Sequence, residues 1–237
     1  MEAAELVSAR DAILARIREA LREKEAHGTP AAEIGVDKSI VASRQVLPAV
    51  PSDFEGQVKL FGELSANLRT EFLHCADEFS ARIQMAALAE REKWESVAFS
   101  GNHQIENLLA DIGIPRSDVN AGISTLELEK VSAGVTGCDA LIAQTGGVLL
   151  SARSGGGRAL SVLPPHHVVI ATHSQLVPDL PGAFEVLERK YTANFPSFIT
   201  FITGPSRTGD IERILVLGAH GPRKLTVMLI GEDSGER

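Results

Sequence analysis

The chain has 237 residues, 44% hydrophobic and 23% charged, which is an ordinary soluble composition with room for one large α/β domain and an appendage. Its 31 acidic and 23 basic residues give a net charge of −8, which excludes the broadly basic surface that non-specific nucleic-acid binding requires. Two cysteines, Cys75 and Cys138, are too few for a four-cysteine iron–sulfur or zinc site. The N-terminus has no apolar signal sequence and no run is long enough to span a membrane, so we expect a cytoplasmic protein.

The first 52 residues differ in pattern from the rest. Residues 3–26 place apolar side chains at helical spacing opposite a charged face, which predicts an amphipathic helix that ends near Gly28. From Thr29 to about Ser52 the chain has several prolines and no period, which indicates an extended linker. We therefore predict an N-terminal helix and linker over residues 1–52, which could pack on the main domain or on a partner, and an α/β domain over residues 53–232.

Helical and strand-like patterns alternate from Phe54 onward. Residues 54–68, 78–94 and 104–113 read as helices, and residues 70–76 and 96–100 as strands between them. Asn102 or Ser100 would cap the third of these helices. Such alternation predicts βαβ units and an open, mostly parallel sheet flanked by helices.

The second half contains more strands. Residues 134–152 predict two strands joined tightly at Gln144–Gly147. After the glycine-rich segment SGGGRALSVLPP come the buried strand HHVVIAT and a helix over residues 182–195. The strand SFITFIT then leads through the loop GPSRTGD to a predicted helix from about Thr208, the turn HGPRK and a last strand, LTVMLI.

The loop GPSRTGD is the first candidate site. A helix that starts after a strand offers unpaired N–H groups and a partial positive charge. The hydroxyls of Ser206 and Thr208, together with Arg207, could then cradle a phosphate or a carboxylate. Alternatively, one hydroxyl only caps the helix, Arg207 lies in solvent, and Asp210 already satisfies the helix dipole.

Two other glycine-rich turns allow a ligand to approach the backbone. The turn Thr145–Gly147 could do so because glycine tolerates positive φ, although two glycines also explain a plain β-turn. The segment SARSGGGRAL could cradle a phosphate beside Arg153 or Arg158, but it matches neither GxGxxG nor a P-loop. A surface loop explains that segment equally well.

The histidines do not form a metal-binding motif. His166 and His167 are adjacent in a strand and must point to opposite faces, so only one of them can face a given site. His220, in the last turn, could reach a ligand or bond the backbone. No HExxH, paired-carboxylate or GxSxG motif is present, and we expect no metal site.

Four segments, taken in order, resemble a known family. GVTGCDALIAQTGGVLLS, LPPHHVVI, LVPDL and ITGPSRTGDIERILVLGAHGPRKLTVMLI are similar to the LUD domain family, and within it to the lactate-utilisation protein C group. The likeness covers roughly residues 54–230 and is densest from 134 to 230. It implies a fold like that of ribose-phosphate isomerases, CoA-transferases and formyltetrahydrofolate cyclo-ligases. It also implies a non-redox subunit, with no cofactor of its own, that acts with iron–sulfur partner proteins in oxidising L-lactate to pyruvate.

The chain departs from this family at Gln144, where the family commonly has glutamate. CoA-transferases of this fold use a glutamate as the nucleophile. An amide carries no anionic oxygen and cannot take that role. Gln144 could still bind a ligand through its side-chain amide.

With the resemblance, both glycine turns are expected at strand ends, where open α/β sheets bind ligands. The predicted site for a small anionic metabolite comprises Thr145, Gly146, Gly147, Arg158, Gly204, Ser206, Arg207, Thr208 and His220. An accessory subunit is the favoured function. The alternatives are a sensor, or a free-standing enzyme that acts on a phosphorylated or CoA-linked metabolite with Asp139, Asp210 or His220 as its titratable group. A homo-oligomer is a further option.

Overall fold

The computed structural model describes residues 11–19, 47–192, 194–211, 214–217 and 221–231. The chain divides into two units, Met1–Val46 and Leu47–Arg237. In the first unit, residues 11–19 form helix α1, on which Ile13 and Ile17 are exposed. The rest of the predicted N-terminal helix and most of the predicted linker lie outside the described residues, and the boundary at residue 52 stays a prediction.

The second unit combines five α-helices and twelve strands in the part of the chain that is described. The helices are α2 (Phe54–Asn67), α3 (Glu78–Arg91), α4 (His103–Leu108), α5 (Thr125–Leu128) and α6 (Leu180–Tyr191). The strands are β1 (Glu71–Cys75), β2 (Val97–Phe99), β3 (Arg116–Asp118), β4 (Ala133–Thr136), β5 (Ala140–Ile142), β6 (Gly147–Ser151), β7 (His166–Thr172), β8 (Leu176–Val177), β9 (Ile199–Ile202), β10 (Arg207–Ile211), β11 (Ile214–Leu217) and β12 (Lys224–Ile230). Asn102 caps α4 by accepting a hydrogen bond from the backbone N–H of Gln104 at 2.9 Å, as one of the two predicted caps.

Six strands form one parallel sheet in the order β1-β12-β7-β4-β2-β3. The predicted open, mostly parallel sheet flanked by helices is confirmed. Strands β7 and β12 are central and almost wholly buried. Their continuous apolar runs, VVIA and VMLI, are typical of strands that are covered on both faces.

The two faces of this sheet belong to different core clusters. Val168 and Ile170 pack in one cluster with side chains from α3 and α4. Val169 and Ala171 pack in the other with α2 and with strands of a second sheet. This alternation follows from the two-residue period of a strand. It gives a layered arrangement of helices, parallel sheet, then α2 with the second sheet.

The second sheet has the order β8-β5-β6-β9 and is mainly antiparallel. The sequence predicted two strands over residues 134–152, but the chain forms three there. Strand β4 belongs to the parallel sheet, and the turn at Gly137–Asp139 redirects the chain into the β5–β6 hairpin. The apolar residues on both sides of this turn concealed the break. Helix α6 packs on the hairpin through Ala183, Leu187 and Tyr191.

The predicted helix from about Thr208 is wrong. Residues Arg207–Ile211 form β10, which pairs antiparallel with β11 in a separate two-stranded sheet. Isoleucine, valine and threonine residues favour strands, and they outweigh the polar start that suggested a helix cap. Because Asp210 lies in a strand, the anion site loses the helix N-terminus on which its argument depended.

The β5–β6 turn packs closely against α2. Gly146 has φ +65°, and a Cβ at this position would lie 2.7 Å from the backbone nitrogen of Ser65. The hydroxyl of Thr145 accepts the backbone N–H of Gly147 at 3.2 Å. The two glycines are therefore explained by backbone conformation and by contact with a helix.

We expect Gly146→Ala to lower the free energy of unfolding by at least about 1–3 kcal/mol, because the left-handed backbone and the contact with Ser65 both oppose a Cβ. Gly157→Ala isolates the first effect, since φ is +107° there and the space is open. Gly113→Ala is the control in which neither effect operates, because that position is open and has no positive φ. Urea unfolding should rank the losses as Gly146, then Gly157, then Gly113. A Gly146→Ala protein as stable as Gly113→Ala would contradict the packing argument.

His166 and His167 point to opposite faces of β7, and both are buried. Burial lowers the pKa of His166 to about 4. Burial also lowers the pKa of His167 to about 3. The ring of His167 shares a hydrogen bond with the Thr136 hydroxyl at 2.9 Å. Both imidazoles are therefore neutral in the folded protein at neutral pH.

Stability should fall as the pH falls from about 6.5 toward 4. Below about 6.5 the unfolded chain protonates each histidine, whereas the folded chain does not until about 4 or 3. Each histidine then lowers the free energy of unfolding by up to about 1.4 kcal/mol per pH unit. Urea unfolding between pH 7.5 and 5.0 measures this slope, and His167→Gln should make it shallower. An unchanged slope in that variant would show that His167 is not responsible.

Candidate functional site

A cavity of about 240 Å³ opens at the carboxyl ends of β2, β4 and β7. In chain order, β3 is added to the sheet on one side of β2, and the next strand, β4, is added on the other side of β2. The strand order therefore reverses between β2 and β4. Open α/β sheets bind ligands in the crevice at such a reversal. We call this the switch-point cavity.

The switch-point cavity has a mostly polar wall. Ser100 and Asn102 follow β2, Gly137 and Cys138 follow β4, and Gln175 follows β7. Two cations, Arg153 and Lys190, complete the lining from the loop after β6 and from the end of α6.

Ser100 carries an unsatisfied polar atom in this wall. It is 5% exposed, and its hydroxyl has no hydrogen-bond partner among the described residues. The glycine-rich loop packs closely against Ser100: a Cβ on Gly156 would lie 2.7 Å from the Ser100 Cβ. Leaving a buried hydroxyl unpaired is costly. A ligand in the cavity would remove that cost.

The carboxylate of Asp118 lies against this wall, since a Cβ on the lining residue Gly101 would be 2.6 Å from its Oδ2. A second carboxylate, that of Asp139, is fully buried behind the wall. It accepts hydrogen bonds from Lys190 Nζ at 2.6 Å, from the Tyr191 hydroxyl at 2.6 Å and from the Ser154 hydroxyl at 2.7 Å. Burial raises the pKa of Asp139, but these donors outweigh it and hold the pKa below its ordinary value. Asp139 therefore remains ionised and is engaged by donors, which makes it a poor general acid.

The same network fixes the cations of the cavity. Burial lowers the pKa of Lys190, but the bond to Asp139 more than compensates, so the pKa is raised and the ammonium stays charged. Its side chain remains 47% exposed. The Arg153 guanidinium lies over the Tyr191 ring, with Cζ 5.3 Å from the ring centroid. Arg153 and Lys190 are thus the charged side chains of the lining itself, while the carboxylates of Asp118 and Asp139 lie next to the lining.

The predicted loop at Gly204–Arg207 lies elsewhere, at the C-terminal end of α2. The Arg207 guanidinium donates to the carbonyl of Leu68, the residue that caps α2. A Cβ on Gly204 would lie 2.6 Å from the same carbonyl oxygen. A helix C-terminus carries partial negative charge, which suits a guanidinium and disfavours an anion. Gly204, Ser206 and Arg207 also line a separate cavity of about 360 Å³ that runs along β9.

The other predicted residues are distributed over several places. The turn Thr145–Gly147 contacts α2, and Arg158 donates to the Ser197 carbonyl at 2.8 Å. Thr208 lies in β10, and His220 lies outside the described residues. The structure thus brings the turns at residues 145–147 and 204–207 together at one end of α2, away from the switch-point cavity. The third candidate, the glycine-rich segment, does reach that cavity, with Arg153, Ser154 and Gly156 in its wall. Ser100, Arg153 and Lys190 line the cavity and are absent from the predicted site, although Arg153 was considered as a phosphate ligand of the glycine-rich segment. The ends of the strands SVAFS and GVT were the further signal for this cavity.

Gln144 has a defined partner. Its side-chain amide donates to the carbonyl of Pro48 at 2.9 Å. An ionised glutamate has no proton to donate and could not make this bond. The amide at this position therefore holds the segment that precedes α2.

Comparison with known proteins places the chain in a family. The sequence profile of the LUD domain matches residues 3–230. The chain belongs to the LUD domain family. Among the described residues, no helix is both long enough and apolar enough to cross a bilayer.

The similar proteins share one name. The chain is 36% identical over 118 residues to lactate utilization protein C of Macrococcus caseolyticus, covering 48% of this chain and 51% of that protein. It is 34% identical over 144 residues to the protein of that name from Anoxybacillus flavithermus, covering 60% and 61%. It is 36% identical over 107 residues to the Bacillus subtilis protein, covering 44% of each. The chain thus spans about half the length of these curated relatives.

A solved structure supports the fold. The crystal structure of a DUF162 family protein from Deinococcus radiodurans superimposes with a TM-score of 0.59 and 22% identity. The match covers 76% of this chain and all of that one. At this identity the likeness shows the fold alone.

Arg207→Ala should lower the free energy of unfolding by about 1 kcal/mol, because it removes the hydrogen bond to the end of α2. Arg207→Lys retains a cationic donor and should lose less. Urea unfolding of both variants measures the difference. If Arg207→Ala leaves stability unchanged but abolishes the binding of an anion, Arg207 belongs to an anion site, as the sequence predicted.

Proposed function

We propose that this protein is a non-redox subunit of a lactate-utilisation system, and that its switch-point cavity holds a small carboxylate metabolite. The family and the shared name of the relatives support the lactate-utilisation role. The observation that carries the ligand assignment is the unpartnered hydroxyl of Ser100, a residue that lines the same cavity as Arg153 and Lys190.

The size and chemistry of the cavity fit a small acid. About 240 Å³ is below the range that drug-sized ligands occupy. In this proposal the Arg153 guanidinium binds the carboxylate in a bidentate manner, and the charged Lys190 adds attraction from the other wall. The Ser100 hydroxyl pairs with an oxygen on the neighbouring carbon, such as the hydroxyl of lactate or the carbonyl of pyruvate.

The cysteines support a role in which redox chemistry belongs to iron–sulfur partner proteins. Both thiols are buried. Burial and the charge of Asp77 raise the pKa of Cys75 to about 11. Burial raises the pKa of Cys138 further above its ordinary value. Neutral thiols are poor nucleophiles and poor metal ligands, because the thiolate is the reactive form.

A thermal-shift series tests the ligand assignment. L-lactate and pyruvate should raise the melting temperature, by the equivalent of about 2.7 kcal/mol at a hundred times the Kd. Arg153→Gln should abolish the shift, and Ser100→Ala should reduce it by removing one hydrogen bond. Arg207→Ala is the matched control and should leave the shift intact, since that arginine lies at the end of α2.

Three outcomes would refute this assignment. They are a shift with CoA esters or sugar phosphates but not with carboxylates, a carboxylate shift that survives Arg153→Gln, and no shift for any of them. The first would favour an enzyme or sensor for a phosphorylated or CoA-linked metabolite. Co-purification with the iron–sulfur proteins of the same system tests the subunit role separately, and failure to associate would count against it.

A further inference from the structure

A second polar cleft lies at the opposite edge of the parallel sheet, where β7 and β12 begin. It consists of two adjoining cavities of about 220 and 290 Å³. They share Glu92, His166, Arg223 and Lys224 in their walls. We call this the amino-edge cleft. Because the strands are parallel, it is separated from the switch-point cavity by the length of the sheet.

The cleft is cationic although the chain as a whole is acidic. Both carboxylates in its wall have a cationic partner: Arg91 contacts both oxygens of Glu71 at 2.7 Å, and Lys224 contacts Glu92. Arg69 and Arg223 also line the cleft, and both are exposed. These two guanidinium groups give the cleft a surplus of positive charge, which favours an anion.

The hydrogen bonds around His166 define which ring nitrogen carries its proton. The hydroxyl of Thr226 donates to the Glu71 carboxylate at 3.1 Å, since an ionised carboxylate only accepts. A hydroxyl has a single proton, so at the same oxygen Thr226 must accept from Nε2 of His166, which is 2.9 Å away. The neutral ring is therefore protonated on Nε2. Its Nδ1 therefore carries no proton and can only accept a hydrogen bond.

That acceptor has no donor in the described part of the chain. Nδ1 of His166 is buried without a hydrogen-bond partner. The pKa of His166, lowered by burial to about 4, keeps the ring neutral at neutral pH, so Nδ1 does not gain a proton of its own. A molecule that satisfies it must bring a hydroxyl or an N–H.

The neighbouring residue, Trp94, has a hydrogen-bond donor without an acceptor in the described chain. Trp94 is 6% exposed, and its ring lies edge-on to that of His166 with centroids 5.4 Å apart. Its indole N–H is buried and also lacks a partner among the described residues. An indole nitrogen only donates, so it requires an acceptor. Trp94 and His166 line the same cavity, so one unmet donor and one unmet acceptor belong to two residues of its wall.

We propose that the amino-edge cleft binds a small anion that carries a hydroxyl, of which phosphate is the simplest example. Its charged oxygens lie against Arg223, which lines the same cavity as Trp94 and His166, and one of them accepts the indole N–H of Trp94. Arg69, in the wall of the adjoining cavity, adds to the positive potential. The hydroxyl of the anion donates to Nδ1 of His166. This site is independent of the proposed carboxylate site at the other edge of the sheet.

The hydroxyl requirement separates phosphate from sulfate. At pH 7.5 phosphate is mostly a dianion that keeps one O–H, whereas sulfate has the same charge and a similar shape but no proton. Sulfate would place an oxygen lone pair against the lone pair of His166 Nδ1. We therefore expect phosphate to bind at least about tenfold more tightly than sulfate, the factor that a 1.4 kcal/mol hydrogen-bond difference produces.

Trp94 provides a direct probe, because it is the single tryptophan of the chain. Its fluorescence should change saturably when sodium phosphate is added to the intact protein at pH 7.5, and respond much more weakly to sodium sulfate at equal ionic strength. Arg223→Ala should weaken the phosphate response about tenfold or more. Arg82→Ala, an exposed arginine of α3 paired with Asp111, is the matched control and should not. Arg153→Gln should also leave it intact, so this test and that of the carboxylate site can fail separately.

Nitrogen NMR of the wild-type protein reads His166 without a substitution. Phosphate should shift the resonance of its unprotonated Nδ1 toward that of a hydrogen-bonded acceptor, and sulfate should not. Equal responses to phosphate and sulfate would overturn the hydroxyl contact. A phosphate response that Arg223→Ala leaves unchanged, or no saturable response, would overturn the site.

Discussion

The parallel sheet is buried on both faces, and this constraint decides where polar chemistry can occur. Along β7 and β12 the side chains between the strand ends are packed against helices on one face and against a second sheet on the other. A charged or strongly polar side chain in the middle of these strands would lose its hydration without a partner. Polar groups therefore collect where strands begin and end. Both proposed sites lie at such ends, one at each edge of the sheet.

The buried carboxylate of Asp139 connects the second sheet and α6 to the switch-point cavity. Asp139 is the last residue of the turn by which the chain leaves the parallel sheet for the β5–β6 hairpin, and its donors come from α6 and from the loop after β6. One ionised side chain thus holds three segments in place. It also holds Lys190 beside the switch-point cavity in its charged form. The Lys190–Asp139 bond therefore both stabilises the fold and keeps a positive charge beside the cavity.

Sequence patterns predicted the parts of the fold whose signal is local. The period of α2 and the apolar run of β7 predicted these elements with nearly the observed bounds. The capped start of α4 was predicted to within one residue, but that helix ends at Leu108 and not at residue 113. The helix expected from Thr208 failed because polar residues before an apolar run fit a hairpin strand as well as a helix start. Pairing between β10 and β11 decided it, and pairing is not visible in either segment alone.

The candidate site was harder to predict because its members are brought together by topology. Ser100, Arg153 and Lys190 are separated by about fifty and then almost forty positions in the chain, and only Arg153 lies in a segment that the sequence indicated as a candidate. Arg207 attracted attention because it lies among glycine, proline and hydroxyl residues. The same composition also serves a close turn against α2, where its guanidinium meets a helix carbonyl. Glycine-rich loops indicate close backbone approach, but they do not indicate whether the approaching group is a ligand or another part of the chain.

Strand β7 connects the two edges and indicates how independent the two sites are. His166 lines the amino-edge cleft and Ile170 lines the switch-point cavity, four residues further along the same strand. At about 3.3 Å per residue the two positions are about 13 Å apart. Sites at this separation that share no partner normally act additively, unless an element between them has two alternative arrangements. A central strand paired on both sides and buried on both faces is among the least able to adopt a second arrangement. Occupancy of one edge should therefore leave affinity at the other unchanged, and coupling between them would require movement of the peripheral loops rather than of the sheet.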